Sequence, residues 1–380
     1  MRTAPEFAAM RRLKRGTSLF HTTTHGEYFL GTPSRAVRIY TPEQRAIAEH
    51  LSRGIDEDEL AGLDGISPIA IHNLITELSH QSLIDTSQGA ISLTNRFISK
   101  LDGRATKNSK PARDGAYLQL QNRLSPELEQ STWLAGVVDG GVCVLSTRQN
   151  FLVEISGSNR VATLLYSLLL TSGVTQVRFT PNARGRNATI GDLDIGVDGI
   201  TSTDFGFAFN NNREQLRREY SLFPLDKSAH YLDEASTPDL AIACGEIDPE
   251  KLALWMSYGQ PFIHLPSPQG GRAEIGPLVI PGKTPCLRCA ELAERDQSGV
   301  TSALPLNGLD AVEYPQIAAH AVAALAASTV IAFIDAETIS QSPEVARADL
   351  CGKYVVMDYQ SLAQPQVVAI ARHPLCGCAF

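Results

Sequence analysis

The sequence is short of charge. Asp, Glu, Lys and Arg make up only 19% of its 380 residues, and the formal balance is −8. A chain with no basic excess has no bulk attraction for nucleic acid or anionic lipid, which excludes a charge-driven binder of either. It is also poor in sulfur, with four Met and seven Cys. Seven cysteines in so long a chain, without a secretory signal, do not make a disulfide framework. The first residues are basic (Arg2, Arg11, Arg12, Lys14, Arg15), but no apolar segment follows them, so export is not expected. Long apolar runs are scarce. The one candidate, 317–334, is interrupted by His320, Ser328 and Thr329 and is rich in alanine. That predicts a closely packed buried helix rather than a membrane span. These absences predict a soluble, cytoplasmic protein that binds neither membrane nor nucleic acid. The remainder is an ordinary globular balance, with 43% hydrophobic residues and length enough for two or three domains.

Three regions separate by pattern: 1–100, a linker at 101–115, and 116–380. In the first, strand-like runs at 18–21, 27–31 and 36–40 precede three helices. Thr41, Pro42 and Gln44 open the first helix with a capping box and a proline at its first position. The acids 56–59 start a short second helix, where its dipole favours them. Ser67 and Pro68 start the third, whose Ile71, Leu74, Ile75 and Leu78 recur at helical spacing. A hairpin of 83–86 with 90–94 completes a winged helix-turn-helix outline. The linker is polar and basic, with Gly and Pro and no periodicity. The third region reads as α/β. Strands are expected at 151–155, 174–179, 239–244 and 261–265, and helices at 161–170 and 249–258, with a further helix beginning at Ser125 and Pro126.

The cysteines are clustered. Cys286 and Cys289 form a C-x-x-C after the turn at Pro281 and Gly282, and Cys376 and Cys378 form a C-x-C around Gly377. Four thiolates at ~2.3 Å would fill a tetrahedral zinc shell and leave no position for water, which predicts a structural rather than a catalytic ion. His373 is a spare ligand. The alternatives are a redox C-x-x-C and a set of unrelated buried cysteines. Cys143, Cys244 and Cys351 are isolated and read as small core residues.

The turn after the strand at 151–155 has the outline of a dinucleotide loop, but Gly157, Asn159 and Ala162 stand where three glycines are wanted. Ala162 still permits close packing. Asn159 puts a side chain where a phosphate must approach. The next strand ends in Thr180 and Pro181 rather than in a ribose-binding acid. This loop is therefore not expected to bind ATP or any other nucleotide.

The βαβ unit, the run GPLVIPGKTPCLRC from Gly276 to Cys289, the alanine-rich helix and the run HPLCGC from His373 to Cys378 together resemble the ThiF/E1-like superfamily. The closer similarity is to the leader-peptide-binding partners of cyclodehydratases in thiazole/oxazole-modified peptide biosynthesis. The resemblance covers nearly the whole chain. It implies an E1-like Rossmann-type domain with structural zinc, preceded by a small winged-helix peptide-recognition domain. It further implies a non-catalytic scaffold that presents a ribosomal precursor peptide to a separate YcaO-type ATP-dependent cyclodehydratase for azoline formation, and a possible homodimer. The other activity it implies is that of an ATP-dependent adenylyltransferase. Against that, the Asn-Leu-x-Arg-Gln stretch of catalytic members is absent after Phe179, and Glu246 stands near Cys244 in place of their metal-binding Asp.

The resemblance places the leader peptide as an added strand beside 36–40, packed against the third helix, which makes Val37, Arg38, Ile39, Leu74 and Leu78 the candidate peptide-binding residues. Val37 and Ile39 must share one face of the strand, with Arg38 on the other. DNA binding is the rival use of a winged helix, but 69–81 contains no Lys or Arg and carries Glu77.

Overall fold

The computed structural model describes residues 10–21, 27–86, 122–134, 136–157, 159–180, 189–207, 216–217, 219–220, 237–299, 313–338 and 350–378. The chain divides into two compact units. The first comprises Met1–Ile98, Gln121–Thr147 and Thr338–Val345, and the second the remainder. The expected linker at 101–115 and the hairpin strand at 90–94 lie outside the described residues.

In the first unit, β1 (Met10–Leu13), β2 (Ser18–His21), β3 (Tyr28–Thr32) and β4 (Arg35–Ile39) are followed by α1 (Pro42–Arg53), β5 (Ile55–Asp56), α2 (Glu57–Ala61), α3 (Pro68–His80) and β6 (Ile84–Asp85). β2, β3 and β4 form an antiparallel meander in that order, while β1 lies between β5 and β6. The capping box at α1 is present. Thr41 Oγ1 accepts from the Gln44 amide at 3.2 Å, and Gln44 Oε1 accepts from the Thr41 amide at 3.2 Å. Ile71, Leu74 and Leu78 bury the inner face of α3 against Ile47, Leu51 and Leu60. β6 pairs with β1, setting Leu13 against Ile84.

The unit reaches further along the chain than residue 100. Lys14 is buried, and its ammonium donates to the carbonyls of Thr132 and Val137, the latter at 2.7 Å. Trp133 packs on the same core. A buried ammonium must spend its donors on protein acceptors, and these carbonyls belong to the segment around α4 (Ser125–Thr132). Burial pulls the Lys14 pKa below its ordinary value, with the nearby Asp85 carboxylate opposing that shift.

From α5 (Val142–Asn150) the chain enters the second unit. Its central sheet runs β12 (Leu278–Val279), β10 (Phe262–Leu265), β9 (Leu240–Cys244), β7 (Leu152–Ser156), β8 (Gln176–Thr180). The pairs β10–β9, β9–β7 and β7–β8 are parallel, and β12 is antiparallel to β10. α6 (Arg160–Thr171) is the crossover between β7 and β8, and α7 (Pro249–Ser257) that between β9 and β10. A second, antiparallel sheet joins β11 (Arg272–Ile275), β13 (Lys353–Asp358) and β14 (Gln366–Ala369). α8 (Leu287–Ser298) follows β12, and α9 (Gln316–Thr338) is the alanine-rich helix.

α9 is the one helix among the described residues that is long and apolar enough to cross a membrane, and half of that window is buried inside the fold. Ala319, Val322, Ala323, Ala326, Val330 and Ile334 pack into the core with α6 and the sheet. Asp335 near its end is buried and held by Arg148 through two bonds of 2.8 and 2.7 Å. This is the packed helix that the sequence predicts.

Candidate functional site

The carboxyl ends of β7, β9 and β10 face the same way, and here the loops carry the chemistry. Gly157 follows β7 with φ +113°, and a Cβ on it would stand 2.1 Å from the Cys244 carbonyl oxygen. The glycine is therefore required by the close approach of β7 and β9, whether or not a phosphate binds. Asn159 is the N-cap of α6, its side-chain oxygen accepting from the Ala162 amide at 2.9 Å. Ala162 is fully buried beneath it. A second acceptor reaches the same helix end: Glu313 Oε1 accepts from the Arg160 amide at 3.3 Å and from the Tyr314 amide at 2.8 Å. The Arg160 guanidinium in turn donates to the Tyr314 carbonyl at 3.0 Å and to the Leu193 carbonyl at 2.6 Å. A helix N-terminus attracts anions through its free amides and its dipole. Here a carboxamide and a carboxylate from the chain itself take that place. Sequence reasoning identified Asn159 but missed Glu313, which is 153 residues from Arg160 and belongs to no motif.

On the α7 side of the sheet, Cys286, Cys289, Cys376 and Cys378 converge, with all four Sγ atoms within 4.8 Å of one another. Cys286 is the N-cap of α8, and Cys289 lies in its first turn. The Sγ separations are 3.9 Å for Cys286 and Cys289, 3.3 Å for Cys286 and Cys376, and 3.4 Å for Cys289 and Cys378. None is disulfide-bonded. A tetrahedral shell of radius ~2.3 Å has edges of about 3.8 Å, so this cluster is placed to hold one metal ion. The His373 amide donates to Cys289 Sγ at 3.4 Å, a contact of the kind that orients a metal ligand. The His373 ring turns away to Asp296 at 3.0 Å, so the spare ligand is not part of the cluster. Burial raises the Cys289 pKa, but hydrogen bonds from the His373 and Cys286 backbone and from the neighbouring thiols outweigh it and bring the thiol down to about 7. Burial and the shared protons push Cys376 up. Of the isolated thiols only Cys244 is buried in the core, and burial raises its pKa; Cys143 and Cys351 are half-buried, and burial with the Asp139 carboxylate raises Cys143 to about 12.

Of the candidate peptide-binding residues, Val37, Ile39, Leu74 and Leu78 are all buried in the core of the first unit. Their side chains are not presented to a ligand, because the shared face of β4 is its inner face. Arg38 is on the outer face, ion-paired with Glu27, its guanidinium 4.9 Å from the Tyr40 ring centre. Leu19, Tyr28, Tyr40 and Ile69 are among the large apolar side chains exposed in the same unit. β4 is the last strand of its sheet, and no described strand pairs with its outer side.

The parallel-stranded α/β unit with a four-cysteine cluster beside its sheet matches an E1-like fold. The chain shares that fold with the microcin C7 biosynthetic enzyme MccB in complex with N-formylated MccA (TM-score 0.61, 15% identity, 98% of this chain and all of that one). The same fold is seen in the crystal structure of E. coli MccB with AMPCPP and MccA (TM-score 0.61, 15% identity, 97% of this chain and 99% of that one). A heterocyclase in complex with substrate and cofactor matches over 97% of this chain but 39% of its own length (TM-score 0.54, 12% identity). No protein-family model and no curated protein matches the sequence.

Proposed function

We propose that this chain is a scaffold that captures a ribosomally made precursor peptide and presents it to a separate modifying enzyme, of the YcaO cyclodehydratase type. The observation that carries the non-catalytic half is the end of α6. Asn159 and Glu313 already satisfy the amides that a nucleotide phosphate would need, and a carboxylate there repels a triphosphate. Peptide capture is supported by the outer edge of β4, where an extended segment would gain main-chain hydrogen bonds. The strands and three helices of the first unit are read as a winged-helix recognition domain on the same grounds. Peptide capture is further supported in kind by the neighbours, one of which was solved with N-formylated MccA and another with its substrate.

The four cysteines are read as a structural zinc site. Their all-sulfur donor set and closed spacing fit zinc and leave no position for a reacting water. Bound there, the ion would tie the start of α8 to the segment after β14.

The test is a titration of the purified protein with labelled precursor peptides encoded beside its gene. Saturable binding to one of them, lost when the half-buried Ala36 is replaced by proline to break the β4 edge, supports the reading. Absence of binding to every such peptide overturns it. Peptide-dependent exchange of pyrophosphate into ATP by the protein alone would establish the adenylating alternative instead.

A further inference from the structure

A cavity of about 640 Å³ opens at the carboxyl ends of β9 and β10, on the same side of the sheet as the cysteine cluster. Its floor is apolar, formed by Ile247, Leu252, Pro266 and Leu287. Glu246, Asp248 and Glu291 are the charged residues in its described lining, which contains no Lys or Arg. Leu287 and Glu291 come from α8, whose first residue follows Cys286. The opposite wall is the start of α7, where Asp248 Oδ1 caps the Glu250 amide at 2.9 Å. The aspartate therefore answers the pull of that helix end on anions.

His264 completes the lining. Its Nε2 lies 3.0 Å from the Gly245 carbonyl oxygen. A carbonyl only accepts, so the proton is on Nε2 and Nδ1 presents a lone pair. Burial drives the His264 pKa down to about 4, so near neutrality the ring is uncharged and does not oppose a cation. The volume lies in the range of small-ligand sites, which are mostly apolar with a few placed polar groups. An apolar floor below carboxylates and an uncharged acceptor suits a charged donor on an apolar stem.

We propose that this cavity binds a lysine or arginine side chain of a peptide. An arginine stem would lie on Leu252 and Leu287, with its guanidinium toward Glu291 and Asp248. The proposal rests on the reading of the chain as a peptide-capturing scaffold. It adds a second point of contact, distinct from the β4 edge, with its own side-chain preference.

The experiment is calorimetric titration of the full-length protein with two capped tripeptides, acetyl-Leu-Arg-Leu-amide and its citrulline counterpart, which keeps the shape and loses the charge. Saturable binding of the arginine peptide, at least tenfold weaker with citrulline, is expected. The double variant Asp248→Asn, Glu291→Gln should lose most of that difference. Asparagine still caps α7, and an unchanged melting temperature would show the fold intact. The β4-edge proline variant should bind the tripeptide as the wild type does. Equal affinity for the two tripeptides, no saturable binding of either, or an undiminished preference in the double variant would each overturn the proposal. Leader capture without tripeptide binding would overturn this inference alone. Tripeptide binding without leader capture would overturn the β4-edge reading alone.

Discussion

Asn159 and Glu313 share the N-terminal end of α6, and this arrangement has a measurable signature. At most N-caps Asn and Asp are interchangeable, and replacement by Ala costs about 1 kcal/mol. Here Asn159→Ala should cost that amount, but Asn159→Asp should also destabilise, because the new carboxylate would face Glu313. Urea unfolding of the two variants, and of Asn159→Asp combined with Glu313→Gln, checks this; the combination should recover the loss. His264 gives a second residue-scale expectation. Its folded pKa of about 4 lies below the unfolded value of ~6.5, so between these pH values the unfolded chain binds the proton and the folded chain does not. The stability is fully present above pH ~6.5 and falls as pH drops toward 4, by roughly 2–3 kcal/mol. Unfolding free energies of wild type and His264→Gln across that range should diverge at neutral pH and converge in acid. Both features bear on what was legible beforehand. The misfit of Asn159 to a phosphate loop could be read from spacing, since a motif is local. Glu313 and the neutral state of His264 could not, since each depends on a fold that brings distant segments together.

Among the elements, those with strong local signals were the readable ones. The capping box of α1, the proline starts of α3 and α4, and the buried strand runs of the central sheet all appear within a residue or two of expectation. Alternation along β4 correctly joined Val37 with Ile39, but periodicity says which residues share a face and not which face is inside. The core of the first unit takes that face, leaving Arg38, Tyr40 and the strand's main chain outside. α9 shows a different limit. Its apolar length is compatible with lipid, and only the buried Arg148–Asp335 pair and the packed alanines show that protein surrounds it. Asp335→Leu alone should cost about 3–5 kcal/mol by stranding the Arg148 charge, whereas the double replacement Arg148→Met, Asp335→Leu should cost distinctly less. Thermal or urea denaturation of the three variants measures the difference.

At the scale of the whole molecule, the sequence shows a change of pattern near residue 100. It does not show that 121–147 belong with the first unit, because that depends on distant segments meeting: Lys14 on two carbonyls, Trp133 on the core, and the Thr86 amide on the Val138 carbonyl at 2.8 Å. The four cysteines were legible as two pairs, and the structure joins them. Replacing Cys376 and Cys378 together by serine should abolish metal retention and lower the melting temperature, as elemental analysis and calorimetry would show; unchanged values in both would refute a structural ion. The two halves of this cluster also bear on how the chain folds. Cys286 and Cys376 are 90 residues apart, and closing a loop of that length costs about 4 kcal/mol in entropy. β13 and β14 lie within that interval and β11 just before it, so pairing of this small sheet shortens the loop that the thiols must close. The rate at which added zinc is taken up in a refolding mixture should therefore follow the assembly of the small sheet rather than the chemistry of the thiols.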